Sequence, residues 1–131
     1  WLVDSGDTMI RSYRDLTVWQ KAMHLVAEVY LLTEQFPKTE IYGLTSQMRR
    51  AAVSIPSNIA EGTMRGTRRD YRHFLFTAFG SGAELETQIE IAKRLSFGKE
   101  TNLSNATIEL SEIMKMLNVL IKRLDDVDTS T

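Results

Sequence analysis

The chain has 131 residues, of which 43% are hydrophobic and 25% charged, and this fits one soluble globular domain that can bury a core. The absence of cysteine excludes disulfides, thiolate metal sites and cysteine nucleophiles, and it favours a reducing, cytoplasmic location. The net charge of −1 excludes a strongly basic protein, and no apolar run approaches the roughly 18 residues of a membrane span.

The charge is unevenly distributed along the chain. Between Arg49 and Arg72, six arginines stand against Glu61 and Asp70, a local balance of +4. From Glu100 to the end, six acidic residues stand against three basic ones, a balance of −3. These regions could be solvated faces, or they could be contact surfaces for phosphate or for an acidic neighbouring subunit.

Residues 1–12 show no sustained period and are predicted to be a peripheral N-terminal extension. Residues 13–127 have the pattern of a helical bundle, and 128–131 are predicted to be a frayed tail. The first helix, about 17–36, ends at Pro37 because the residue before a proline avoids the helical region. Its apolar stripe recurs at steps of four and three: Val18, Ala22, Leu25, Val29, Leu32 and Phe36.

The second helix, about 40–63, contains Pro56, which removes a backbone hydrogen bond at a cost of ~3 kcal/mol. The apolar period nevertheless continues through the proline, so we predict one continuous helix kinked near Pro56. Its stripe is Leu44, Met48, Ala51, Ala52, Ile55 and Ile59.

The third and fourth helices are predicted at about 68–97 and 103–126. Gly80-Ser81-Gly82 lies within the third, where we expect the glycines to allow close approach of a neighbouring helix. The kink near Pro56 is one candidate for that contact. Gly98 is the predicted C-terminal cap. The stripes are Tyr71, Leu75, Ala78, Gly82, Leu85, Ile89 and Ala92, then Ala106, Leu110, Ile113, Leu117, Leu120 and Leu124.

No stretch alternates apolar and polar residues as a strand would. Four amphipathic helices joined by short turns predict an all-α fold. The architecture expected is an up-down-up-down antiparallel four-helix bundle.

The residues carry no pattern typical of catalysis or metal binding. A di-iron bundle needs paired Glu-x-x-His motifs, but the chain has only His24 and His73, and Glu109-x-x-Glu112 has no histidine partner in the sequence. The serines Ser54, Ser57 and Ser81 have no clearly placed activating base. We therefore predict no catalytic residue, no metal site, no cofactor and no enzymatic activity.

Polar residues of the second and third helices are interpreted as architectural. Those beside Pro56 are expected to satisfy freed carbonyl groups. Glu61 could pair with Arg65 or Arg68, and Glu84 could reach Arg49 or Arg50. The predicted structural signature is Ser54, Pro56, Asn58, Glu61, Gly62, Gly80, Ser81 and Glu84.

The arginines are the best candidate for a functional surface. Guanidinium groups suit phosphate, and the neighbouring Tyr71 and His73 could stack on bases. The predicted nucleic-acid-binding residues are Arg65, Arg68, Arg69 and Arg72 near the turn between the second and third helices, with Arg49 and Arg50.

Three runs of residues resemble one known family, the 23S rRNA-intervening-sequence proteins, also called S23-like. They are DLTVWQKA (15–22), FPKTEIYGLTSQMRRAAVSIPSNIAEG (36–62) and YRHFLFTAFGSGAELETQIEIA (71–92). The resemblance implies a bacterial four-helix bundle of largely unknown biochemical role.

The family is similar in fold to the accessory variability proteins of diversity-generating retroelements. Those form basic pentameric barrels that bind nucleic acid and a reverse transcriptase. The resemblance therefore implies a homo-oligomer, with a pentamer favoured, although the net charge of −1 departs from the basic pattern. A head-to-tail ring would bring the basic and acidic regions of neighbours together.

Two functions remain open at this point. The first is a non-enzymatic homo-oligomeric bundle that binds RNA or a nucleic-acid-processing protein through arginines near the turn. The alternative is a structural or protein-interaction module in which the same arginines serve subunit contacts and no nucleic acid is bound. No membrane partner is expected.

Overall fold

A computed structural model describes the backbone of residues 12–129 and the side chains of residues 12–125, so predictions for residues 1–11 and 130–131 lie outside it. Across the described residues there is no strand, and no helix combines the length and hydropathy that a membrane span requires. The helices are α1 (Thr17–Glu34), α2 (Leu44–Thr63), α3 (Arg68–Arg94) and α4 (Glu100–Thr129), with 3₁₀ turns at Tyr13–Asp15 and Lys38–Glu40.

Each of the four helices packs against two of the others. Both α1 and α3 pack on α2 and on α4, while the diagonal pairs α1–α3 and α2–α4 make no backbone contact in the part of the chain described. Lys21, early in α1, reaches Glu112 in α4, and Gln35 just beyond α1 bonds Asn102 near the start of α4. The two helices are therefore antiparallel, and the predicted four-helix arrangement is confirmed.

The core is made of the four predicted stripes. Every residue assigned to a stripe from the sequence is buried in the structure. Tyr71 and Met48 are among the largest fully buried side chains. Full burial of such a side chain contributes roughly 1.5–3 kcal/mol, so this core is the main source of stability.

Helix α2 runs without interruption from Leu44 to Thr63 and contains Pro56. The prediction of one helix through the proline is therefore confirmed, while the kink itself stays a prediction. Pro56 has no amide hydrogen to donate, and this weakens the helix at that point. Its ring is buried, so it contributes packing to the core at the same place.

The connection between α1 and α2 differs from the prediction. Helix α1 ends at Glu34, and Phe36 lies beyond it with its ring 5.5 Å from that of Phe97. Helix α2 begins at Leu44, not near residue 40, because Gly43 adopts a non-helical conformation. The carboxylate of Glu40 accepts a hydrogen bond from the Leu44 amide (3.1 Å), so Glu40 supports the start of α2 from outside it.

The turn between α3 and α4 also differs. Helix α3 ends at Arg94, and the left-handed residue that closes it is Ser96, with φ of 59°. The predicted cap, Gly98, also has a positive φ (82°) but lies two residues further along the chain. The Phe97 amide bonds the carbonyl of Ala92 (2.9 Å), which completes a Schellman motif. Helix α4 then starts at Glu100, earlier than predicted, and extends to Thr129, so the predicted tail is partly helical.

The glycines of α3 do not pack against α2. A side chain at Gly82 would meet Met114 and Leu110 of α4, while a Cβ added at Gly80 would point into open space. The close approach between α2 and α3 occurs at Gly62 instead, where an added Cβ would lie 2.8 Å from Cβ of Phe74. Gly82 therefore allows the expected close approach of a neighbouring helix, which is α4, while the suggested contact of these glycines with the Pro56 region is wrong.

Candidate nucleic-acid interface

The turn between α2 and α3 brings four of the predicted arginines to one end of the bundle. Gly66 has a positive φ of 89°, which a glycine adopts without strain. Thr67 caps α3 by accepting a hydrogen bond from the Asp70 amide (3.1 Å). The tight turn places Arg65, Arg68, Arg69 and Arg72 around the start of α3.

Two of these four arginines are engaged in contacts within the chain. Arg65 donates to a carboxylate oxygen of Glu61 (2.6 Å), as predicted, and its guanidinium carbon lies 4.8 Å from the Phe74 ring centre. Arg72 donates to the Ile121 carbonyl (3.2 Å) and lies 4.9 Å from the Phe76 ring centre. Arg65 thus connects the turn to α3, and Arg72 connects α3 to α4. Because of these contacts, only part of their positive charge is available to a ligand.

Arg72 also approaches the acidic end of α4. Its Nη2 atom lies 3.6 Å from a carboxylate oxygen of Asp125, whose side chain is half exposed. A pair this long and this solvated contributes little to stability. An arginine of the cluster therefore meets the acidic helix inside the same protomer.

Arg68 and Arg69 are different. Arg68 is half-buried and Arg69 exposed, and neither makes an ion pair or side-chain hydrogen bond within the described residues. Arg69, His73 and Phe76 follow one another at helical spacings of four and three, and all three are exposed. They form a basic and aromatic stripe on the outer face of α3, which we call the α3 stripe.

Arg49 and Arg50 do not belong to this cluster. Fourteen residues of α2 and its cap lie between Arg50 and Arg65, about 20 Å along the helix axis. Arg49 donates to the Thr33 hydroxyl (2.9 Å), and its guanidinium lies over the Tyr30 ring. The six predicted arginines therefore form two separate groups.

Several of the signature residues form hydrogen bonds within the bundle. Ser54 and Ser81 form a hydrogen bond between α2 and α3 (2.8 Å), and Asn58 donates to Ser54. Glu84 accepts a hydrogen bond from Gln88 (3.3 Å) and makes no ion pair with Arg49 in the described part of the molecule. The expected pairing of Glu84 with Arg49 or Arg50 is therefore wrong, and the hydrogen bond that Glu84 accepts comes from its own helix.

One cluster was missed from the sequence. His24 Nδ1 lies 2.6 Å from a carboxylate oxygen of Glu109, so Glu109 does have a histidine partner in space. Ligand atoms of His24, Glu28 and Glu109 lie within 4.8 Å of one another, a donor set that could hold a divalent cation. The histidine is largely exposed, and we assign the cluster a bridging role between α1 and α4.

The comparisons with known proteins now bear on this fold and surface. A family model described as 23S rRNA-intervening sequence protein matches residues 14–119. The chain belongs to this family. The match covers α1 to α3 and most of α4, so the fold and the arginine surface both lie inside the family's span. No curated protein matches the chain.

A solved structure from the family has the same fold. It is a protein of unknown function from the S23 ribosomal protein family of Bacteroides thetaiotaomicron, with a TM-score of 0.74 and 23% sequence identity. The alignment covers 80% of this chain and 95% of that one. At this identity the likeness establishes the fold alone. A relation to the accessory proteins of diversity-generating retroelements stays a prediction.

Proposed function

We propose that this family member is a non-enzymatic bundle that binds RNA at the α2–α3 end. The observation that carries the proposal is the α3 stripe next to Arg68. Two arginines that have no carboxylate partner among the described side chains lie beside an exposed histidine and a phenylalanine whose surface is 48% exposed. Cations that contact phosphates and rings that stack on bases are the two components of single-stranded nucleic-acid binding.

The four turn arginines have different roles in this proposal. Arg68 and Arg69 contact phosphate groups, since no carboxylate of the described chain competes for them. Arg65 and Arg72 hold the turn and position Phe74 and Phe76 by the contacts described above. The binding surface is thus smaller than the sequence predicts, and it excludes Arg49 and Arg50.

We further propose that the chain forms a homo-oligomer, with a pentamer favoured. Two arginines on one protomer give weak, salt-sensitive binding. When the same surface is repeated around a ring of subunits, one RNA contacts several copies and the overall affinity increases. Apolar side chains that are about half exposed also lie outside the α3 stripe, as expected of surfaces covered by another subunit. They include Met23 and Leu31 on α1, Ile91 on α3, and Ile108 and Val119 on α4.

The second candidate is a structural or protein-interaction module without nucleic-acid binding. It is supported by Arg65 and Arg72, half of the turn cluster, whose charges already meet Glu61 and Asp125. In that case Arg68 and Arg69 make contacts to a neighbouring subunit.

One experiment separates the two candidates. The mass of the protein is measured by light scattering with and without a single-stranded 20-nucleotide RNA at low salt, and affinity is measured by fluorescence anisotropy. We expect an oligomer that binds the RNA, and an Arg68→Ala/Arg69→Ala variant that stays oligomeric and binds at least about tenfold more weakly.

The matched control is Lys93→Ala/Arg94→Ala, which removes two positive charges from the opposite end of α3. It should retain RNA affinity within about twofold. Absence of RNA binding by the unchanged protein rejects the proposal, and loss of the oligomer in the Arg68→Ala/Arg69→Ala variant favours the second candidate.

A further inference from the structure

A groove lies on the outer side of α2, next to α1, well away from the α3 stripe. It has a volume of about 570 Å³, and apolar side chains of Tyr30, Ile41 and Val53 line it together with Arg49, Arg50 and Ser46. A smaller cavity of about 190 Å³ adjoins it and shares Ile41, Thr45 and Arg49. The larger volume is within the range of sites for small ligands.

Arg49 is held in one orientation at the junction of the two cavities. Its Nε atom donates to the Thr33 hydroxyl (2.9 Å), and that hydroxyl donates to the Val29 carbonyl (2.8 Å). Its guanidinium carbon lies 4.5 Å from the centre of the Tyr30 ring. Packing against the ring and the bond at Nε fix the plane of the group, while its terminal nitrogens make no hydrogen bond within residues 12–125.

The charge of Arg49 is half-buried and has no acidic partner in the part of the chain that the structure describes. None of the ion pairs among the described side chains includes it. A hydroxyl and an aromatic ring orient a guanidinium without neutralising it, and a partly desolvated charge without a counter-charge is unfavourable. Arg50 adds a second, exposed guanidinium to the same groove.

We propose that this groove binds a phosphomonoester joined to an apolar or aromatic body. The two positive charges of the guanidinium groups match the two negative charges of a phosphomonoester. A carboxylate carries one negative charge and would leave one guanidinium group without a counter-charge. The hydroxyl of Ser46 is a further donor in the lining. The exposed surfaces of Ile41 (48%) and Val53 (41%) accommodate the apolar body.

This site is independent of RNA binding at the α2–α3 end. About 20 Å of helix separates the two groups of arginines, and no residue is shared. Loss of one activity should therefore leave the other unchanged.

The test is a titration of the full chain with phenyl phosphate, inorganic phosphate and benzoate, followed by calorimetry and amide chemical shifts. We expect phenyl phosphate to bind at least about fivefold more tightly than inorganic phosphate, because only the former has an apolar body. Benzoate, with one negative charge, should bind about tenfold more weakly than phenyl phosphate. Shifts should be confined to the lining residues.

Variants make the assignment specific. Arg50→Gln, which removes an exposed side chain without a packing role, and Arg49→Gln should each weaken phenyl phosphate binding about tenfold. Arg123→Gln, at an exposed position on α4 outside both surfaces, is the matched control and should leave it unchanged. Equal affinity for phenyl phosphate and inorganic phosphate, or equal losses in Arg50→Gln and Arg123→Gln, overturns the proposal. Retention of RNA binding by Arg50→Gln distinguishes this site from the α3 stripe.

Discussion

Ser54, two residues before Pro56 on α2, has its hydroxyl 2.8 Å from the hydroxyl of Ser81 on α3. The side-chain amide of Asn58 donates to both the carbonyl (2.8 Å) and the hydroxyl (2.9 Å) of Ser54. The carbonyl that loses its helical partner to the proline is that of Ala52, so this network does not simply repair the helix. Its consequence is a polar connection that fixes the register of α2 against α3.

Replacement of Ser54 by alanine should therefore destabilise the bundle. We expect Ser54→Ala to lower the free energy of unfolding by about 1 kcal/mol, the usual value of a partly buried hydrogen bond, in urea denaturation. Ser57→Ala is the control, because Ser57 is exposed on the same helix, and it should change stability by less than about 0.5 kcal/mol. The Ser54→Ala/Ser81→Ala double variant should cost less than the sum of the single changes, and strict additivity would contradict the contact.

Two glycine-to-alanine changes should have opposite effects. At Gly62 the new Cβ would lie 2.8 Å from Cβ of Phe74 and 3.1 Å from a Tyr71 ring carbon, so we expect a loss of about 1–3 kcal/mol. At Gly80 the new Cβ would point into open space, and alanine should stabilise α3 by up to about 1 kcal/mol. Urea denaturation of both variants measures the difference, and a loss at Gly80 would show that the outer face of α3 is covered by another subunit.

The fold could be predicted from the sequence because its determinants are local. Steps of three and four between apolar residues select one face of each helix, and every predicted core residue, from Val18 to Leu124, is buried. Short turns then leave few arrangements for four such helices. The helix ends were less accurate, since Gly43 and Ser96 depend on turn geometry that propensity does not encode.

The candidate site could be predicted only in part. The turn arginines lie together because they are close in sequence, but the partners of Arg72 come from α4, some fifty residues away. The contact of His24 with Glu109 likewise depends on how α1 and α4 are rotated about their axes. The separation of Arg50 from Arg65, in contrast, follows from the helical rise and was available from the sequence.

Replacement of serine by glycine should have opposite effects on stability in the turn after α3 and within α4. Ser96 has a φ of 59°, which costs a residue with a side chain about 1–2 kcal/mol and costs glycine almost nothing. We expect Ser96→Gly to stabilise the protein by about 0.5–1 kcal/mol. Ser111→Gly, at an exposed position within α4, should destabilise it by about 0.5 kcal/mol. Thermal and urea unfolding of both variants check the signs, and a loss at Ser96 would contradict the Schellman motif.

Arg72 and Arg69 should differ in their contribution to stability. Arg72 donates to the Ile121 carbonyl and stacks on Phe76, so Arg72→Ala should lower the free energy of unfolding by about 1–2 kcal/mol. Arg69 has no such contact among the described residues, and Arg69→Ala should stay within about 0.5 kcal/mol of the unchanged protein. Equal losses in urea denaturation would show that the distinction between structural and free arginines is wrong.

The salt dependence of RNA binding should separate phosphate contacts from base stacking. For single strands, each neutralised phosphate contributes about 0.7 to the slope of log affinity against log salt concentration. Arg68→Ala/Arg69→Ala should therefore reduce the magnitude of that slope by about 1.4. Phe76→Ala removes a stacking surface and should weaken binding about tenfold at every salt concentration, with the slope unchanged. Fluorescence anisotropy across a range of salt concentrations measures both effects.

An unchanged slope in the arginine variant would show that Arg68 and Arg69 do not contact phosphate. A reduced slope in Phe76→Ala would show that the ring acts by positioning Arg72.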